Sequence, residues 1–157
     1  MKNNKEHEIF TAYLKNGKNR ITPERFLVLD AALEYKGHFG ADELYIEMRN
    51  NNVNVSRATV YNTLELISQC GLIAKRNFGD NRTCYERKFG EENHDHLVCT
   101  NCGKITEFHS DKIKDVIEEI CGGLDFDFNF ESYSFNIYGS CKDPQNCSRN
   151  DNLLSDH

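Results

Sequence analysis

Apolar residues recur at helical spacing in three successive runs of the first half of the chain, each with its own start and stop signals. Thr22-Pro23 opens the first run, since Thr suits an N-cap and Pro the first helical position. Within PERFLVLDAALEY, Phe26, Leu29 and Leu33 form a stripe one helical face wide, and Gly37 ends the helix. ADELYIEMRNN reads as a second, shorter helix with Leu44 and Met48 facing inward. A third helix starts at Ser56 as N-cap, buries Val60, Leu64 and Ile67, and stops at Gly71. LIAKRNF and RTCYERKF then read as two strands around Gly79-Asp80-Asn81, a hairpin. Three helices followed by a hairpin predict a winged helix-turn-helix.

Charge divides the chain at the end of that pattern. Residues 1–87 carry 13 Lys and Arg against 11 Asp and Glu, a net of +2, whereas residues 88–157 carry 6 against 14, a net of −8. The first part suits a phosphate backbone and the second repels one. At 157 residues the chain has room for one domain or two small ones. No stretch is apolar enough to cross a bilayer, and MKNNKEHEIF lacks the apolar core of a signal peptide, so a cytoplasmic protein with no membrane partner is expected. Thiols stay reduced there, and seven cysteines, an odd number, fit metal binding better than a disulfide framework.

The third helix has the chemistry of a DNA-reading element. Arg57, Thr59, Tyr61 and Asn62 stand in its first turns while the apolar residues point elsewhere. Arg pairs with guanine in a bidentate manner, Asn pairs with adenine, and Thr or Tyr reaches a thymine methyl or a phosphate. A solvated polar helix face would show the same residue types; the hairpin and the charge division favour the DNA reading. Arg76 and Arg82 flank the wing tip as candidate phosphate contacts.

HDHLVCTNCGKITEF, residues 94–108, concentrates the second kind of chemistry. Cys99 and Cys102 form C-x2-C followed by Gly103-Lys104, similar to a zinc knuckle, and Cys141 and Cys147 form C-x5-C downstream. Four thiolates satisfy tetrahedral Zn²⁺ and close its coordination, which makes such a site structural. A redox thiol pair would stand at a helix start, whereas strand-like residues flank this one on both sides. Cys70 and Cys121 sit beside apolar residues in helices and read as core; Cys84 reads as core or as a neighbour of the metal site. His94 and His96 alternate along an extended segment and so share a face, and Glu107 lies on the returning strand. Two imidazoles and a carboxylate suit a borderline ion, Fe²⁺, Mn²⁺ or Zn²⁺, unlike the sulfur cage.

Taken together, RITPERFLVLDAAL, SRATVYNTLELISQCGLI, HDHLVCTNCGKITEF and YGSC resemble the ferric uptake regulator family of bacterial metal-dependent repressors. The resemblance implies an α+β protein: a winged helix-turn-helix domain at 1–87, a hinge at 88–93 and an α/β dimerisation domain at 94–157. It makes DKIKDVIEEICGGL the helix of the dimer domain and places strands in FDFNFESYSFNIYG. It implies a sensing site of His38, Glu86, His94, His96 and Glu107, and a structural zinc on Cys99, Cys102, Cys141 and Cys147. His38 has no distinguishing context of its own; only the resemblance promotes it. The C-x5-C spacing, with Pro144 inside it, is longer than the family's usual one and weakens the case for Cys147. A further site of the family falls on Asn93, Asp95, Lys114 and Tyr133, and the positive charge of Lys114 predicts its absence.

The function implied is that of a homodimeric repressor on a double-stranded operator, controlling iron homeostasis genes through Fe²⁺. Two hard carboxylate oxygens and no thiolate favour Fe²⁺ in the sensing site, with Mn²⁺ or Zn²⁺ as alternatives. Peroxide-sensing relatives typically carry Asp at the position of Glu107, and zinc-sensing ones recruit a cysteine, for which Cys84 is the nearby candidate. Outside the family, a metalloenzyme and a zinc-stapled dimerisation module remain as alternatives. Five protein ligands leave an enzyme little room for substrate, and no obvious general base or nucleophile accompanies them.

Overall fold

The computed structural model describes residues 4–78, 83–88, 94–123, 130 and 133–143. The chain divides into two compact units, with the boundary between Glu91 and Glu92. The first holds α1 (Asn4–Asn16), α2 (Pro23–Glu34), α3 (Ala41–Asn50), α4 (Arg57–Gln69), β1 (Ile73–Asn77) and β2 (Thr83–Arg87). The second holds β3 (Asp95–Cys99), β4 (Ile105–Phe108), α5 (Asp111–Gly122) and β5 (Asn136–Gly139). The whole is α+β, as the sequence implied.

In the first unit, α2, α3 and α4 form where the apolar periodicity placed them. Leu29, Leu33, Leu44, Met48, Val60, Leu64 and Ile67 are all buried in one cluster. Phe26 is only half-buried, and its ring packs edge-on against Phe10 at 5.7 Å. Ser56 caps α4 through its hydroxyl, which accepts from the Thr59 amide at 3.1 Å. Thr22 occupies the N-cap position of α2, but its side chain makes no capping bond. Gly71, at φ 81°, turns the chain out of α4 in the left-handed conformation that only glycine adopts without strain.

Helix α1 is the element that the hydrophobic pattern did not predict. Its inward face is Glu6, Phe10 and Leu14, all buried, so an acidic residue interrupts the apolar stripe. Arg87 compensates for that acid, with its guanidinium 3.3 Å from the Glu6 carboxylate.

Strands β1 and β2 pair antiparallel from Ile73↔Arg87 to Asn77↔Thr83, giving the expected wing; its tip, with Arg82, lies outside the described residues. One isolated bridge, Phe39↔Tyr85, ties the segment before α3 to β2 through reciprocal backbone bonds of 2.9 and 2.8 Å.

In the second unit the sheet order is β4-β3-β5, antiparallel between β3 and β4 and parallel between β3 and β5. Helix α5 covers the expected dimer-domain segment, yet none of its residues is buried among the described residues. Cys121, expected in a core, is accordingly only half-buried. Among the described residues no helix is long and apolar enough to cross a membrane.

Candidate metal centre

The Phe39↔Tyr85 bridge puts the residues flanking it side by side. His38 Nε2 lies 2.7 Å from Glu86 Oε2, and both side chains are nearly inaccessible to solvent. The His38 ring is held edge-on by Phe78 at 5.5 Å. The second Glu86 oxygen accepts from Arg76 Nε at 2.7 Å. Arg76, read from the sequence as a phosphate contact, is thus engaged by the carboxylate across the hairpin. An imidazole nitrogen and a buried carboxylate oxygen at this distance are a ready half of a cation site.

The second unit has nitrogen and oxygen donors of its own. His96 stands opposite Glu107 in the β3–β4 register, and His94 Nε2 is 3.7 Å from Glu107 Oε1. The His94 and His96 rings meet edge to face at 4.9 Å, and His94, His96 and Glu107 each offer a ligand atom within 4.8 Å of the others. Nitrogen and oxygen donors at this spacing fit a borderline divalent ion.

Three thiols form a separate group in the same unit. Cys99, Cys102 and Cys141 bring their sulfurs within 4.8 Å of one another. The knuckle turns on Gly103, whose φ of 78° lets its amide reach the Cys99 carbonyl at 2.8 Å. The Thr100 amide donates to the Gly139 carbonyl at 2.7 Å, which anchors the end of β5 and carries Cys141 to the knuckle. The Cys102 backbone N–H, foremost among several donors, stabilises the Cys99 thiolate and pulls that thiol down to about 6. A preformed thiolate among three sulfurs suits Zn²⁺. Cys147 lies outside the described residues.

On α4, the candidate reading residues have partners of their own. Arg57 donates through Nε to Asp42 Oδ1 at 2.7 Å and through Nη2 to Oδ2, and the Tyr61 hydroxyl donates to Oδ1 at 2.8 Å. Hydrogen bonds from Arg57 and then Tyr61 hold the Asp42 carboxyl below the usual carboxylate range. Thr59 is half-buried, its hydroxyl 2.8 Å from that of Ser56, and Asn62 is exposed.

Residues 16–138 match the sequence pattern of the Ferric uptake regulator family. The chain is 35% identical over 132 residues to the peroxide-responsive repressor PerR of Staphylococcus saprophyticus, covering 84% of this chain and 86% of that one. The chain belongs to the ferric uptake regulator family. Among solved structures, the Vibrio cholerae ferric uptake regulator matches with a TM-score of 0.68 at 28% identity, covering 82% of this chain and 96% of that one. The Campylobacter jejuni peroxide stress regulator matches at 30% identity with a TM-score of 0.58, covering 87% and 96%. Members of the family are DNA-binding, metal-dependent transcription regulators, which removes the metalloenzyme alternative.

Seen as a family member, the chain carries features that sequence reasoning did not assign. Asp42 was read only as part of α3, and nothing local signals that it reaches α4. The Arg76 contact with Glu86 follows from cross-strand geometry, because Glu86 faces Ala74 and Arg76 lies one diagonal step away. Cys70, expected in the core, is half-buried and packs against the core cluster, its thiol donating to the Ile67 carbonyl at 3.2 Å and pushed up by burial; Cys84 is buried. At the family's further site, Asp95 is buried, whereas Lys114 is exposed and 3.9 Å from Glu118; Asn93 lies outside the described residues.

Proposed function

We propose that the chain is a homodimeric, metal-gated repressor that reads double-stranded DNA with α4 and the wing. In this reading one regulatory cation is shared by His38 and Glu86 of the first unit and His94, His96 and Glu107 of the second. Cys99, Cys102 and Cys141, with Cys147 as fourth ligand, hold a structural zinc. The observation that carries the reading is the His38–Glu86 pair, which the Phe39↔Tyr85 bridge fixes at 2.7 Å on the same unit as α4. A bound divalent ion would supply positive charge that offsets the repulsion between the two carboxylates. His38 and Glu86 then tie the reading unit to the donors beyond the 88–93 hinge, and operator affinity and metal affinity become reciprocal. A coupling of ~1–3 kcal/mol gives roughly a 5–150-fold change in DNA affinity.

The dimer reading is supported by α5. Ile113, Val116, Ile117 and Ile120 follow helical spacing, and Val116 and Ile120 are 52% and 57% exposed. A second copy of the same helix and sheet would cover them. The cytoplasm, where DNA and reduced thiols coexist, is the fitting compartment.

For the stimulus, similarity reverses the order reached from sequence. Iron sensing came first there, but relatives such as the Staphylococcus saprophyticus protein are peroxide-responsive repressors, and we place peroxide sensing first. Glu107, a glutamate where such relatives typically have Asp, keeps iron sensing as the second reading. Operator binding by the full chain is measured with Fe²⁺, with Mn²⁺ and after chelation, before and after dilute hydrogen peroxide. Peroxide sensing predicts that only the Fe²⁺ form loses binding on oxidation, because Fe²⁺ reduces peroxide readily. Iron sensing predicts that the Mn²⁺ form keeps it and that the Fe²⁺ form loses it only as far as the ion itself is oxidised, so that fresh Fe²⁺ restores binding in full. Binding that ignores metal altogether, in the parent and in His96→Ala, leaves only a zinc-stapled dimer.

A further inference from the structure

Asp42 is the second residue of α3, in the turn where the helix N-terminus favours a negative charge. Its carboxylate faces the start of α4 and takes two N–H donors from Arg57 and one O–H donor from Tyr61. Arg57 and Tyr61 stand one helical turn apart and are the two longest polar side chains at the reading end of α4. All three groups remain open to solvent: the Arg57 side chain is 62% exposed and that of Asp42 45%. The arrangement is therefore reachable by a large anionic partner, and little burial holds it closed.

A carboxylate offers a guanidinium two coplanar oxygens, the same fork-to-fork geometry as two phosphate oxygens. We infer that Asp42 is an internal phosphate surrogate, occupying Arg57 and Tyr61 in the DNA-free protein so that a duplex must displace it. The inference rests on the proposed role of α4 in DNA reading. Each duplex then pays the loss of three charge-assisted hydrogen bonds before it gains Arg57. A sequence offering a full set of contacts offsets that loss, whereas an arbitrary duplex, held by phosphate attraction alone, offsets it poorly. Asp42 thereby acts as a positioning and specificity residue through Arg57, suppressing indiscriminate binding by the mildly basic unit.

A purely structural role, stapling α3 to α4, makes a different prediction. The test uses the full chain loaded with Mn²⁺ and a fluorescent duplex of scrambled sequence, titrated at several salt concentrations. Asp42→Asn is expected to bind this duplex more tightly than the parent, with a log–log salt slope steeper by about 0.9, the signature of one added phosphate contact. Its advantage over the parent should shrink about 3.5-fold between about 50 and 200 mM salt. Asp42→Asn combined with Arg57→Gln should lose the gain. Equal slopes, or weaker binding by Asp42→Asn, would overturn the inference and leave Asp42 a staple. No duplex binding by the parent itself would sink the DNA-reading role, and this inference with it. Urea unfolding of each variant confirms that the folded state is being compared.

Discussion

Glu86 has two oxygens and two nitrogenous neighbours, and their competition governs what the residue does. Oε1 is held by the permanently charged Arg76, at 2.7 Å, and Oε2 faces His38 at the same distance. In the proposed site a divalent ion approaching His38 and Oε2 would meet the field of that guanidinium, so Arg76 would oppose cation binding. Substitutions at neighbouring positions therefore carry opposite signs. Arg76→Gln should tighten Mn²⁺ binding by roughly tenfold, ~1.4 kcal/mol, since Arg76 is partly exposed and its field is screened. Glu86→Gln should weaken binding at least as much, and should cost about 2 kcal/mol of stability by leaving the guanidinium without its buried partner. Competition with a chromophoric chelator measures both affinities on the full chain. Equal affinities in parent and Arg76→Gln would show that the guanidinium does not reach the cation.

At the level of elements, what could be read from the chain was what is decided locally. Helices α2 to α4 each declare themselves through a short-range stripe and a nearby cap. Ser56 is the clearest case: its hydroxyl accepts the Thr59 amide, and Ser56→Ala should cost about 1 kcal/mol. The urea midpoint should fall with no change in the slope of the transition, since the surface exposed on unfolding is unaltered. Helix α1 escaped notice because its buried face includes Glu6, and the residue that makes this tolerable, Arg87, lies at the far end of the unit's sequence. The candidate site divides on the same principle. Cys99 and Cys102 share one turn, His96 and Glu107 share one strand pair and His94 directly precedes it, so spacing reveals them. His38 is a loop residue whose meaning depends on the Phe39↔Tyr85 bridge, a contact that periodicity does not encode.

For the molecule as a whole, the apolar face of α5 and the division of charge bear on the same question: how a mildly basic reader gains enough affinity to hold an operator. The net of +2 over residues 1–87 is small, and the −8 that follows repels the duplex. One copy would therefore have little purchase on DNA, and in the proposed dimer two readers acting on half-sites one helical turn apart would convert the second encounter into an intramolecular one. The exposed Ile120 tests this directly. Among the described residues α5 buries none of its side chains, so Ile120→Asp should leave the unfolding midpoint of the isolated subunit nearly unchanged while placing a charge where a second copy would pack. Analytical ultracentrifugation should show a monomer, and operator affinity should fall by 10²-fold or more, in line with the avidity of a second linked reader. Binding of a scrambled duplex, which needs only one reader, should fall far less. A variant that stays dimeric, or a monomer that keeps full operator affinity, would place the association surface elsewhere or remove the need for it.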